Sequence, residues 1–275
     1  MLGQVTVVRR SHGHGSRRRY LHVRTAPLVD AEVVEVDGFM ATSIERTAVD
    51  LACTLDFERA VAVLDAALHL GGQPLAMADV LAEAARRHGV ATARAALEFA
   101  DGRSESVGES VSRVRMADAG LPVPQLQLNV FDGRGGCLAR SDFCWEEFGV
   151  LGEFDGQIKY RGTRDEVARA VMQEKRREAR LREVGWGVVR WDWGDLGDPP
   201  ALRRRLEAAF DQARPAKVRG WVAPSDPPSR RSRSRSERSL PEFREQGDVS
   251  GACVPEDAGE WPSPLPADAR IRGLP

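Results

Sequence analysis

No histidine follows His88 in this chain of 275 residues. His12, His14, His22, His69 and His88 all precede the segment that reads most like an enzyme, so that segment has no imidazole for general-base or zinc chemistry. Cysteine is scarce as well. Cys53, Cys137, Cys144 and Cys253 form no CxxC pair, which excludes a zinc ribbon and a disulfide framework and fits a reducing cytoplasm. No stretch approaches the ~20 apolar residues of a membrane span, and Met1 to Arg10 has no apolar core ahead of a small-residue cleavage site. The expectation is a cytoplasmic protein without a membrane partner. A Walker-type glycine loop and a Gly-x-Ser-x-Gly elbow are both missing, which removes nucleotide hydrolases and serine esterases. Neither charge is in surplus: 40 Lys and Arg against 41 Asp and Glu leave a formal net charge of -1, so any contact with nucleic acid must come from a local patch.

What is present supports a folded core, with 42% hydrophobic and 29% charged residues over a length that suits one or two domains. Beyond Arg214 lie 10 of the 16 prolines, an Arg/Ser run over 229–238 and few clustered aliphatics, so residues 214–275 are expected to form a disordered tail. Residues 1–22, with Arg17, Arg18 and Arg19 together, read as a flexible basic leader, although Val5 to Arg9 alternates like a strand. Residues 23–100 read as a hairpin turning at Asp37-Gly38, followed by helices over 43–54, 57–70 and 77–88. Thr42-Ser-Ile-Glu45 matches a capping box at the first of them.

Residues 101–213 alternate element types as an α/β domain does. A helix is expected over 104–119, carrying the stripe Val107, Val111 and Val114 and stopped by Gly120-Leu-Pro-Val-Pro124. Strands follow over 125–131 and 137–145, joined through a glycine-rich turn, and a third over 150–154. A long helix over 164–184 then leads to an apolar strand over 187–191.

This layout puts carboxylates at neighbouring strand ends. Asp142 lies on one strand and Glu153 at the end of the next, while Asp155, two residues on, shares a strand face with Glu153 if that strand continues. Hydrolysing a phosphodiester requires charge neutralisation at the phosphate and a hydroxide delivered in line, which Mg²⁺ held by hard oxygen ligands supplies. Lys159 is placed to hold the phosphate or polarise the attacking water. Glu174 follows the spacing of Val167, Val171 and Leu181, which turns it toward the sheet. Lys175, Arg176 and Arg177 make the outer face of the same helix a phosphate-contact patch.

The strings Ser104-Glu-Ser-Val-Gly-Glu-Ser110, Gly152-Glu-Phe-Asp-Gly156, Lys159-Tyr160, Glu174-Lys175 and Gly185-Trp-Gly-Val-Val-Arg-Trp191 resemble a large actinobacterial family of uncharacterised proteins. Its C-terminal domain is similar to the very short patch repair endonucleases of the PD-(D/E)XK superfamily. Arg46-Thr-Ala-Val-Asp-Leu-Ala52 and Leu64-Asp-Ala-Ala-Leu68 resemble the linker region of abortive-infection type IV antitoxins. The resemblance implies an α/β fold with a restriction-endonuclease-like mixed sheet flanked by helices, preceded by the hairpin-plus-helices unit. It implies Mg²⁺, with Mn²⁺ as a substitute, and DNA as substrate. It makes Asp142, Glu153 and Asp155 metal ligands, with Lys159 and Glu109 in the catalytic set, and it brings in a toxin or other defence-system partner. Two departures stand in the sequence: the residue two after Glu153 is Asp155 rather than lysine, and the histidine of the patch repair enzymes has no counterpart. Periodicity also turns Glu109 away from the valine stripe, against the likeness.

The leading expectation is therefore a Mg²⁺-dependent DNA endonuclease, and the alternative is a non-catalytic DNA-binding or toxin-antitoxin regulatory protein that keeps the same fold. Trp186, Trp191 and Trp193 are read as core rather than base-stacking residues.

Overall fold

Strand runs that alternate around glycine turns, and alanine-rich helices with apolar stripes, both find their partners in the structure. It is a computed structural model that describes residues 5–10, 14–85, 87–156 and 164–225, with backbone only at 164–167 and 170. The chain forms a mixed α/β protein whose described residues fall into two compact units, one through Ser43 and one from Ile44 onward.

In the first unit β1 (Val5–Arg9) runs parallel to β3 (Leu21–Thr25), and β2 (Ser16–Arg17) pairs with β3 in the opposite sense. The span read as a flexible leader therefore contains strands, and β3 crosses the expected boundary after residue 22. The first of them covers the Val5 to Arg9 alternation, although Val5 and Val7 are exposed. His14 is exposed, whereas His12 lies outside the described residues. β4 (Val33–Val36) and β5 (Phe39–Thr42) form the hairpin, with positive φ at Asp37 (49°) and Gly38 (80°) as a tight two-residue turn requires.

The second unit opens with α1 (Ile44–Ala52), α2 (Phe57–His69), α3 (Pro74–Glu83) and α4 (Val90–Phe99). Their small apolar faces meet in one core that includes Val49, Val61, Leu64, Met77, Leu81 and Ala93. Glu45, expected in a capping box, reaches across to accept the Gln73 N–H at the entrance to α3 (3.1 Å).

α5 (Val107–Asp118) ties these helices to the sheet. Toward α2 it offers Arg113, bonded to the buried Asp65 (2.8 Å), and Arg115, paired with Glu58. Toward the sheet, Ser112 Oγ accepts the Trp191 indole N–H (2.7 Å). The four helices and the sheet fall in the same compact unit, from Ile44 onward.

The sheet contains β6 (Gln125–Phe131), β7 (Cys137–Trp145), β8 (Val150–Phe154), β9 (Gly187–Trp191) and β10 (Trp221–Pro224) in the order β10-β6-β7-β8-β9. Only β8 and β9 pair in parallel, and α6 (Arg164–Glu183) makes the crossover between them. Leu181 and Trp186 pack on Leu128, Val130, Cys144 and Leu151. α7 (Trp193–Leu196) and α8 (Pro199–Gln212) follow β9. β10 revises the expected tail. It adds a strand to the free edge of β6, and Trp221 stacks on Phe131 with ring centroids 4.1 Å apart. Residues 226–275 lie outside the described residues. Among those described, no helix is long and apolar enough to cross a membrane.

Gly108 sits where α5 meets the sheet, and a Cβ there would fall within the ring of Phe154. That ring is held edge-on against Trp193 (5.1 Å) and cannot simply swing aside. Gly108→Ala is expected to lower stability by about 1–3 kcal/mol through overpacking, read as a reduced urea midpoint with an unchanged slope.

Candidate functional site

The site forms where the strand ladders are interrupted. β6 and β7 pair at Leu126↔Phe143 and again at Leu128↔Ser141, and Gln127 and Asp142 fall in the gap between those pairs. Gln127 adopts φ 53°, a left-handed conformation inside a strand. A non-glycine residue there costs about 1–3 kcal/mol and persists only where its surroundings demand it. The β7–β8 pairing ends at Phe143↔Gly152, one residue short of Asp142 and of Glu153. Asp142 Oδ2 accepts the Phe154 N–H instead (3.0 Å).

Glu109 arrives from the first turn of α5, which Ser106 caps by accepting the Glu109 N–H. The Glu109 carboxylate accepts from Ser106 Oγ (2.7 Å), from the Glu105 N–H (2.9 Å) and from Gln127 Nε2 (2.8 Å). It is buried, against the expectation from periodicity. Val111, Val114 and Met116 are buried too, because α5 is enclosed by α2 on one side and by the sheet on another, so a single apolar stripe does not define its inward face.

Gln127 Nε2 also lies 3.5 Å from Asp142 Oδ1. Burial raises the Asp142 carboxyl to about 6, with the Glu109 carboxylate adding to the rise, the Phe154 N–H opposing it and Glu153 adding further. Among the described residues, the hydrogen-bond partners of Asp142 are thus an amide side chain and a backbone N–H, neither of them charged.

Glu153 turns toward cations. It is buried, pairs with Arg190 in the β8–β9 ladder, and lies 2.6 Å from the Arg190 guanidinium and 3.2 Å from that of Arg177. Glu174 joins the same network from α6, bonded to Arg177 (2.8 Å) and to Arg190. Glu178 lies 3.9 Å from Arg190 Nε.

The structure therefore brings together Asp142, Glu109 and Glu153, with Glu174 behind Glu153. It corrects Arg177, expected on the exposed basic face, which turns inward because two carboxylates attract it; Lys175 and Arg176 are exposed. Asp155 is exposed, its N–H extending the ladder to Trp191 O (2.8 Å). Lys159 lies outside the described residues. Trp186 and Trp191 are buried core, as expected. Two site residues escaped the sequence reading. Arg190 left a signal, a charge inside an apolar strand next to a glutamate-bearing helix. Gln127 left none, since its distinguishing features are its backbone angle and its burial. Burial pushes the Cys144 thiol up to about 12.

Among the described residues no group of three or more His, Cys, Asp and Glu side chains is arranged to hold a metal. The oxygens nearest one another are the Asp142 and Glu109 carboxylates and the Gln127 amide, whose buried Oε1 has no partner among the described residues. These are hard oxygens around uncompensated negative charge, which suits Mg²⁺ or Mn²⁺ and does not suit a soft metal.

No protein-family model matches the chain, and no solved structure matches it. It is similar to Uncharacterized protein Rv2248 of Mycobacterium tuberculosis (strain ATCC 25618 / H37Rv) and to Uncharacterized protein MT2308 of Mycobacterium tuberculosis (strain CDC 1551 / Oshkosh). Each is 36% identical over 190 residues, which span 68% of this chain and 68% of the relative. With that identity sustained across two thirds of both sequences, the chain belongs to the family of these mycobacterial proteins.

Proposed function

We propose that this protein is a Mg²⁺-dependent DNA endonuclease, with Mn²⁺ able to substitute, that hydrolyses phosphodiester bonds in the cytoplasm. The observation that carries the reading is Asp142, a half-buried carboxylate beside Glu109 and Glu153 whose hydrogen-bond partners among the described residues are uncharged. Asp142 and Glu109 would hold the cation. When bound, Mg²⁺ neutralises charge on a scissile phosphate and lowers the pKa of a coordinated water. Glu153 and Glu174 hold Arg190 and Arg177, whose guanidinium forks match phosphate geometry. Lys175 and Arg176, exposed on α6, supply contacts to flanking phosphates that carry no sequence information. Asp155 and Lys159 keep their proposed places as a further ligand and as a phosphate or water contact.

The test is incubation of the purified chain with plasmid and single-stranded DNA in Mg²⁺, Mn²⁺ or EDTA, beside an Asp142→Ala/Glu153→Ala double variant. Cutting by the wild type in Mg²⁺ or Mn²⁺, reduced to the EDTA background in the variant, is expected.

A second reading, a non-catalytic DNA-binding protein or a regulator paired with a toxin, draws on the arginines that already neutralise Glu153. It expects no cutting, and DNA binding equal in the wild type and the double variant.

A further inference from the structure

Gln127 has three features that no strand residue needs for packing. It is 4% exposed, its φ of 53° breaks the β6 conformation, and its side-chain amide enters the gap between two acids. Nε2 bonds Glu109 Oε2 at 2.8 Å and lies 3.5 Å from Asp142 Oδ1, so an N–H donor stands where a cation shared by those carboxylates would stand. The other end of the amide, Oε1, is buried without a partner among the described residues. A buried acceptor left unsatisfied is unfavourable, and here it belongs to an amide that a strained backbone places between two carboxylates, within one turn of its terminal bond from facing them.

We propose that Gln127 is the third oxygen donor of the cation site, an inference that rests on the metal-dependent reading above and assigns its ligand set. Without a cation, Nε2 bridges Glu109 and Asp142 and keeps the two carboxylates from separating. Gln127 Oε1 would be the amide atom to hold a divalent cation, reached by a turn of the amide about its terminal bond. Gln127 is thus a ligand and placeholder, distinct from the groups proposed to contact phosphate.

The test is Mn²⁺ affinity by isothermal titration calorimetry on the full chain, for the wild type and for Gln127→Leu, Gln127→Gly and Gln127→Glu, with thermal unfolding of each in EDTA. Gln127→Gly accepts the left-handed angle freely and so remains folded even where Gln127→Leu does not. Expected results are a loss of at least tenfold in affinity for Gln127→Gly and Gln127→Leu, and affinity equal to or tighter than wild type for Gln127→Glu, which restores an oxygen donor. Wild-type affinity in Gln127→Gly overturns the inference and leaves the nuclease reading intact. An equal loss in Gln127→Glu and Gln127→Gly also overturns it, since the side chain would then matter only for packing. Absence of Mn²⁺ binding in the wild type removes both.

Discussion

Asp142→Asn is expected to make the metal-free protein more stable at pH 7.5, by about 2–3 kcal/mol. A half-buried site carboxylate is usually regarded as something the fold needs, yet here it works against the fold. Burial first, and then the Glu109 carboxylate, hold the Asp142 proton on up to about 6, whereas in the unfolded chain it leaves near ~3.9. Between those values the folded state binds more protons than the unfolded state, so wild-type stability falls as pH rises through the window, and the full penalty remains above it. The amide of asparagine carries no charge to desolvate and still offers an oxygen to the Phe154 N–H. The gain should therefore be largest at neutral pH and shrink to a small remainder at pH 4, where Asp142 is protonated in the folded state and about half protonated in the unfolded chain. Thermal unfolding of both proteins in EDTA from pH 4 to 8 checks it, at roughly 2–4 °C per kcal/mol for a protein of this size. A variant less stable than wild type at pH 7.5 would show that Asp142 supports the fold. A site that carries such a penalty without its ligand is what a preorganised cation site should look like, because function and stability oppose one another there.

The second large effect lies at the α2–α5 joint. Arg115→Met is expected to lower stability by about 3–5 kcal/mol, because it leaves Glu58 buried without its cation. The Arg115 and Glu58 side chains are 2% and 10% exposed, and two guanidinium nitrogens reach the two Glu58 oxygens. Asp118 adds to the cost. Burial raises its carboxyl, Arg115 lowers it and Glu58 raises it again, so loss of the arginine leaves two acids facing each other. Replacing both partners, Arg115→Met with Glu58→Leu, should recover most of the loss, since a buried ion pair is often matched by apolar side chains of similar volume. Urea denaturation of the two single variants and the double variant gives the coupling directly. Additive losses would mean that the pair is not the joint.

Much of this was legible in the sequence, for reasons that vary by element. β6, β7, β8 and β9 occupy the expected residues because turn glycines and alternating or continuous apolar runs bound them on both sides. α4 and α8 were not anticipated: Val90–Phe99 is alanine-rich with little contrast between faces, and Pro199–Gln212 carries a charged majority around Leu202 and Leu206. β10 was hidden by the prolines around it, which argue for disorder even though an edge strand tolerates proline. At the site, Asp142 and Glu153 were readable because acids at neighbouring strand ends are costly without a purpose. The inward turn of Arg177 was not, since a one-dimensional reading of α6 sees a run of basic residues and cannot see the two carboxylates beneath one of them.

These electrostatics divide the site. The half around Glu153 and Glu174 is balanced internally by Arg177 and Arg190, whereas the half around Asp142 and Glu109 is left negative. A cleavage assay depends on offering the right DNA. Cation binding to the negative half does not, and so it tests the central claim most directly. Electron paramagnetic resonance titration of Mn²⁺ into the purified chain at pH 7.5 should show immobilised ion saturating near one per chain, abolished in Asp142→Asn. Equal binding by the wild type and the variant, or no binding by either, would contradict the account.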